Sequence, residues 1–350
     1  MKIYVNARFL TQPVSGVQRY GIECSRQIKK LRPDTVFLTP KNVRHKDIAE
    51  ELGAKIIGIN TGHLWEQLDL PLHLAGQKYP PLFNPANTGP MLYGNNYVTL
   101  HDLAFYHHPE WNSKAFSAWY NVLVPRLAIS SKHLFTVSRT IRDEIKANYK
   151  IPPAKISVTY NGIAGNMLAA ENTARSKEKV ILSVGTFNKR KNHQNLVKAF
   201  LASSLKTEYQ LAMVGDKNKV FSESNLDGHD LQNGSIKVYE KLSADELIAL
   251  YKKAEVVVSL SLYEGFGVPV LEGLYFGAKV LCSDIKVYRE LYEGSVEFCD
   301  PLNINDVSQA LERIVNSEPV GDEVRNGLLE KYNYAKSARQ IVDVMERGRP

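Results

Sequence analysis

The sequence predicts an α/β protein of two domains, each a parallel sheet wound with crossover helices. Three observations carry this. Short apolar strands alternate with helical stretches along the chain, which is the pattern of repeated βαβ units. At 350 residues the chain has the length of two domains of ordinary size. A small, polar and charged stretch from Ala164 to Lys179 interrupts the alternation near the middle. The expected organisation is a first Rossmann-like domain over 1–163, a linker over 164–179 and a second Rossmann-like domain over 180–334. A last helical stretch follows over 335–350, and the two domains face a central cleft that takes the ligand.

The elements follow in order. The opening Met1-Lys2-Ile3-Tyr4-Val5-Asn6-Ala7-Arg8 alternates like a strand and lacks the apolar core of a signal peptide. Thr11 to Tyr20, with Gly16 inside it, joins that strand to the first helix. Tyr97 to Leu100 reads as a strand ending in His101-Asp102, and Phe135-Thr136-Val137 as a strand turning into a helix at Ser138, a residue suited to the N-cap. Ile156 to Tyr160 closes the first half before a turn at Asn161-Gly162. In the second half the strands are Val180–Gly185, Gln210–Gly215, Ile236–Tyr239, Glu255–Ser259 and Lys279–Cys282, with helices Gln194–Ser203 and Ala244–Lys253 among the connections.

Composition narrows the class. A hydrophobic content of 44% is that of a globular protein, and no apolar run is long enough to span a bilayer. Cys24, Cys282 and Cys299 are odd in number and widely spaced, which gives no disulfide framework or zinc site and favours buried thiols in a reducing cytoplasm. Residues 1–165 carry 20 Lys+Arg against 11 Asp+Glu, a balance of +9; with +7 for the whole chain, residues 166–350 carry −2. A basic first half invites an anionic partner such as a bilayer surface or a diphosphate-linked lipid. A solvated basic face with no partner is the plainer reading. No nucleic-acid recognition motif is present. His107 and His108 are adjacent, but no third ligand stands at zinc-like spacing.

Glu264 and Glu272 flank the most informative stretch, Glu264-Gly265-Phe266-Gly267-Val268-Pro269-Val270-Leu271-Glu272. Pro269 suits an early helix position, which puts Glu264 in a glycine-flanked loop at the carboxyl end of a strand and Glu272 in the first turn of the next helix. Two acceptor-rich carboxylates around such a loop suit a polyhydroxylated ligand. The plain alternative is a solvated loop charge at Glu264 and a dipole-complementing Glu272. A second constellation, Gly185-Thr186-Phe187-Asn188-Lys189-Arg190-Lys191-Asn192, joins a strand to a helix. Cations there have the wrong sign for the helix dipole unless an anion lies between them and the helix amides. Taken alone, a Lys-Arg-Lys run is a solvated surface feature.

These segments together resemble the family 4 retaining glycosyltransferases of GT-B architecture. The resemblance runs from Gly16 to about Pro301 and includes the Gly16-Val17-x-Arg19-Tyr20, His101-Asp102, His108-Pro109-Glu110, Val137-Ser138, Asn161-Gly162-Ile163 and Arg190-Lys191-Asn192 segments in the family's order. It implies that Gly16, Arg190 and Lys191 bind a donor diphosphate. It further implies that Gly265, Phe266, Gly267 and Glu272 hold the donor sugar and nucleotide, with Glu272 on the ribose. His101, Asp102 and Glu264 face the reacting sugar, and Arg139, Asp216 and Glu290 are candidate cleft residues. A further Arg that the family often carries has no counterpart at Thr186.

The implied activity is retaining hexosyl transfer, mannose from GDP-mannose, to a glycan or polyprenyl-diphosphate-linked acceptor in cell-surface polysaccharide biosynthesis such as lipopolysaccharide. No cofactor is expected beyond the nucleotide-sugar donor, and no metal. The expected place is the cytoplasm, as a peripheral protein on the inner face of the plasma membrane. Two other readings stand beside it: a sugar-nucleotide 2-epimerase or phosphorylase on the same fold, and a degenerate scaffold that binds a nucleotide sugar or membrane without chemistry.

Overall fold

The strands marked by the apolar alternation pair as two parallel sheets. The computed structural model describes residues 2–170, 177–215 and 234–348, and among them the sheets have seven and six strands. The first comprises β1 (Tyr4–Asn6), β2 (Val36–Thr39), β3 (Lys55–Ile56), β4 (Leu82–Asn84), β5 (Asn96–Leu100), β6 (His133–Thr136) and β7 (Ile156–Val158), in the order β3-β2-β1-β4-β5-β6-β7. The second comprises β8 (Glu178–Val184), β9 (Gln210–Val214), β10 (Ile236–Tyr239), β11 (Ala254–Ser259), β12 (Lys279–Ser283) and β13 (Glu297–Cys299), in the order β10-β9-β8-β11-β12-β13.

Parallel sheets covered by crossover helices bury both faces of their strands, so such strands read as near-continuous apolar runs. Val256, Val257 and Val258 of β11 are all essentially inaccessible, and Val256 and Val258 share one core cluster with Ile181, Leu211 and Met213 of β8 and β9. The same physics corrects the alternating reading of the opening segment. β1 lies between β2 and β4, and every residue from Ile3 to Leu10 is buried. Cys24, Cys282 and Cys299 are buried free thiols.

Contacts divide the chain into two compact units. One runs to Asn161 and resumes at Tyr332; the other is Gly162–Lys331. The helix Tyr334–Arg347 belongs to the first unit, where it packs on the helix Gly16–Leu31. Tyr334 presents its ring edge to Tyr20 at 6.1 Å and donates its hydroxyl to Asn161 Oδ1 at 3.3 Å. Ser337 donates to the Tyr160 carbonyl at 2.7 Å, and Arg32 pairs with Glu346.

The expected linker is revised. Its residues 171–176 lie outside the described residues, but the described parts are anchored on the second unit. Gly165–Ala169 is a short helix with Met167 buried, and the Met167 carbonyl accepts from the Tyr275 hydroxyl at 3.3 Å. Lys177 Nζ donates to the carbonyls of Ala254 at 2.8 Å and Phe276 at 3.0 Å. These carbonyls end two helices, where backbone acceptors lack intrahelical partners. A small, polar composition concealed both anchors. Among the described residues, no helix is long and apolar enough to cross a membrane.

Candidate functional site

The second unit gathers its predicted residues at the carboxyl ends of β8 and β11. After β8, Asn188 accepts the Lys191 N–H on its side chain at 3.2 Å, closing a short 3-10 turn over Lys189–Lys191. Asn192 adopts the left-handed conformation, φ 53°, and leads into the helix His193–Ala202. Its side chain is tied to the Pro301 carbonyl at 2.7 Å. The basic run therefore sits on its own turn, before the helix. After β11 the loop is stitched to that turn by the Leu262 N–H, which donates to the Arg190 carbonyl at 2.8 Å.

That stitching brings two distant segments together. Lys191 Nζ lies 2.5 Å from Glu264 Oε1, with the side chains 13% and 9% exposed. Burial pushes the Glu264 carboxyl up, but the Lys191 and Arg190 charges and the Lys191 hydrogen bond outweigh it and hold it at about 2. Glu264 is thus a buried carboxylate that only accepts hydrogen bonds, not a solvated loop charge. Lys191 is paired with it rather than held open.

The rest of the loop explains its glycines. Gly267 has φ +83°, and a Cβ there would lie 2.3 Å from Tyr288 Cε1, so only glycine fits. The helix Val268–Tyr275 follows, with Pro269 second and Glu272 fifth. Glu272 therefore lies just beyond the first turn, where the sequence placed it within that turn, and is buried. It accepts from the Tyr251 hydroxyl at 2.6 Å. Gly265 and Phe266 are buried, the latter edge-on to Tyr292 at 6.0 Å. Glu290 is half-buried on the helix Lys286–Tyr292 that also carries Tyr288. Asp216 lies outside the described residues.

In the first unit, Gly16 is the first residue of the helix Gly16–Leu31, and a Cβ there would meet nothing within 4 Å. The packing of the chain does not itself require a glycine at this helix start. Ser138 caps the helix Arg139–Tyr149, accepting the Ile141 N–H at 3.3 Å, and Arg139 at its start is exposed. His101 follows β5, buried, with Tyr20 edge-on at 4.8 Å. Its Nε2 lies 2.8 Å from the Pro85 carbonyl. A carbonyl only accepts, so Nε2 carries the proton and Nδ1 of the neutral ring is the acceptor. Burial lowers its pKa, so the ring is neutral at pH 7. With its Nε2–H already used, the ring has only Nδ1 left, as an acceptor. Asp102 Oδ1 accepts the Ala104 N–H at 3.0 Å. His107 and His108 turn to separate partners, Glu144 and Trp111.

Residues 168–335 match the family of glycosyl transferases group 1, and residues 95–164 match glycosyltransferase family 4. The chain thus carries a glycosyltransferase family 4 domain followed by a glycosyl transferases group 1 domain. A relative across nearly its full length is the O-antigen chain mannosyltransferase RfbU of Salmonella typhimurium, 24% identical over 96% of this chain and 97% of that one. A glycosyltransferase from Rickettsia africae superposes with a TM-score of 0.74 at 16% identity, covering 99% of this chain and 98% of that chain. Anabaena Alr3699/HepE, solved in complex with UDP and glucose, superposes with a TM-score of 0.71 at 14% identity, covering 99% of each chain. The fold of this glycosyltransferase, two parallel-sheet α/β units, is GT-B.

Sequence reasoning missed two features of this glycosyltransferase. Tyr251, on the helix Ala244–Lys253, is hydrogen-bonded to Glu272. Arg8 and Glu66 form a buried ion pair at 3.1 Å just beyond β1. Glu66 sits in Trp65-Glu66-Gln67, where a helical pattern gives no sign of burial. Arg8, directly after an apolar strand, was the available signal.

Proposed function

We propose that the chain is a retaining glycosyltransferase that moves mannose from GDP-mannose to a glycan or polyprenyl-diphosphate-linked acceptor in cell-surface polysaccharide biosynthesis. The observation that carries this reading is the Lys191–Glu264 pair at the carboxyl ends of β8 and β11. A diphosphate arriving there competes with Glu264 for the ammonium, and Arg190 beside it offers a bidentate partner for phosphate oxygens. Glu264, released from Lys191, is already ionised and accepts hydroxyls of the donor sugar. A carboxylate held at about 2 is a poor base, so its part is to hold the sugar and stabilise positive charge developing on it. The departing phosphate deprotonates the acceptor on the same face, which retains the configuration. Lys191 and Arg190 stabilise the leaving oxygens, a contribution on the order of 2.7–4 kcal/mol for one such donor. Glu272 takes the ribose, and no metal is required. The mannose assignment draws on the relative RfbU, matched over 96% of this chain. Peripheral attachment to the inner membrane face draws on the basic balance of residues 1–165.

The test is transfer and binding measured together. GDP, UDP, ADP and their common sugar conjugates are screened by thermal shift in EDTA and then in magnesium. Transfer to lipid-linked and free glycan acceptors is followed by mass spectrometry, with the anomeric configuration read by NMR. A GDP-selective shift that survives EDTA, with an α-linked mannosyl product, is expected. An inverted product, a strict magnesium requirement or epimerisation of UDP-GlcNAc without acceptor would each defeat it, and binding without any turnover would leave a scaffold.

A further inference from the structure

Two crossover helices of the second unit are tied together at two points. Ala244–Lys253 leads into β11, and Val268–Tyr275 follows the loop at its carboxyl end. At their last turns, Lys177 Nζ donates to the carbonyls of Tyr251 at 3.4 Å, Ala254 at 2.8 Å and Phe276 at 3.0 Å. One ammonium thus holds both helix ends, where the carbonyls lack intrahelical partners. The second tie is the Tyr251 hydroxyl, which donates to Glu272 Oε2 at 2.6 Å, the length of a hydroxyl–carboxylate bond.

Tyr251 is wholly buried, so its hydroxyl acts on Glu272 and not on a ligand. Its ring stacks on Phe276, with centroids 5.6 Å apart and planes 17° from parallel. Phe276 stands four residues after Glu272, one turn on at the end of the same helix. The tyrosine ring therefore lies along that turn, its body on Phe276 and its tip on Glu272. A glutamate's own terminal torsion is soft. A hydrogen bond from a clamped ring to one oxygen fixes the plane of the carboxylate, and with it the directions in which both oxygens accept. Glu272 is 2% exposed, and at so enclosed a group those directions decide which donors it can meet.

We propose that Tyr251 is a positioning residue for nucleotide binding: it turns the Glu272 carboxylate to accept both hydroxyls of a ribose 2′,3′-diol. The assignment rests on the reading of Glu272 as the ribose residue and adds what makes that glutamate selective. A vicinal diol presents two O–H donors at a fixed separation. A carboxylate takes both only when its two oxygens face them, and a rotated one takes a single hydroxyl at best. Each carboxylate oxygen has two acceptor positions, so Oε2 can hold Tyr251 and a ribose hydroxyl together. Away from water the orientation counts for more, since a buried hydroxyl that misses its acceptor has no solvent to turn to. Tyr251 touches no substrate and takes no part in the transfer step.

The test separates ribose recognition from the rest of nucleotide binding. GDP and UDP, each with its 2′,3′-dideoxy counterpart, are titrated by calorimetry against the wild type, Tyr251→Phe, Glu272→Gln and the double variant. The wild type is expected to bind the ribonucleotide about tenfold or more tighter than its dideoxy form, the worth of hydrogen bonds to a carboxylate. Tyr251→Phe keeps the ring and its stack on Phe276. It should cut that ratio to about threefold or less while binding the dideoxy form as the wild type does, which also shows that the variant folds. With Glu272→Gln in place, adding Tyr251→Phe should change the ratio no further. In steady-state transfer, Tyr251→Phe should raise KM for the donor and leave kcat nearly unchanged, as the loss of uniform binding does. The proposal is overturned if Tyr251→Phe keeps the wild-type ratio, if it weakens both forms alike as a merely structural residue would, or if it still lowers the ratio beside Glu272→Gln. If the wild type shows no preference for the ribonucleotide, the reading of Glu272 falls and this assignment with it. Failed transfer with a ratio that depends on Tyr251 would count against the transferase reading and leave the assignment standing.

Discussion

Replacing Lys191 by methionine removes one charge from a buried pair and keeps most of the aliphatic stem. Glu264 is held at about 2 against an ordinary value of 4.5. At about 1.4 kcal/mol per pKa unit, the carboxylate contributes roughly 3 kcal/mol at pH 7 that the charges around it supply. Breaking a buried pair from one side costs about 3–5 kcal/mol, the same order. For a unit spanning Gly162–Lys331, a loss of about 3 kcal/mol lowers the melting temperature by roughly 6–12 °C. The sign with pH is fixed. A depressed carboxylate stabilises the fold above its unfolded value, and that contribution drains away as the pH falls through 4.5 toward 2. The variant's deficit should therefore be full at pH 7 and shrink steadily on acidification. Calorimetry at pH 7, 5, 4 and 3 measures this, with Glu264→Gln and the double variant completing the cycle. An unchanged melting temperature at pH 7, or a deficit that ignores pH, would refute the account of the pair.

Three other outcomes are expected. Gly267→Ala forces a side chain into a left-handed backbone and onto Tyr288; it should cost at least about 1–2 kcal/mol, read from the urea midpoint. Ser138→Ala deletes the cap bond to Ile141 and should cost about 1 kcal/mol without altering GDP affinity by calorimetry. Glu272→Ala should weaken GDP about tenfold or more, the loss of a hydrogen bond to a charged group. Glu264→Ala should instead reduce turnover more than nucleotide affinity, and steady-state kinetics separate the two.

The elements most legible in the sequence were those whose identity rests on composition. β11 announced itself through consecutive valines because a strand covered on both faces needs no polar residue. The helix Ala244–Lys253 has the bounds its pattern predicted, helped by a capping box in which Ser243 and Glu246 satisfy each other's termini. Pairing across distance was less legible. Lys191 and Glu264 each looked like part of a ligand site, but their contact depends on a backbone bond between two loops that no local pattern encodes. Burial of charge was illegible altogether. Glu66 reads as an ordinary helical glutamate until Asn6 and Arg8 at the end of β1 and Thr88 after β4 are seen to converge on one oxygen. The expected linker failed for a related reason: three-dimensional anchoring through Met167 and Lys177 leaves no mark on polarity.

The order in which the chain leaves the ribosome gives the terminal helix a further meaning. The first unit's residues up to Asn161 emerge early, yet the surface that covers Tyr20 and its neighbours on the helix Gly16–Leu31 comes from Tyr334–Arg347, at the far side of a complete second unit. Synthesis thus delivers a finished second unit before the first can close. During that interval Tyr20, fully buried at the end, lacks the Tyr334 ring that stands edge-on to it. A chain that stopped before Tyr334 would lack that cover on the helix Gly16–Leu31.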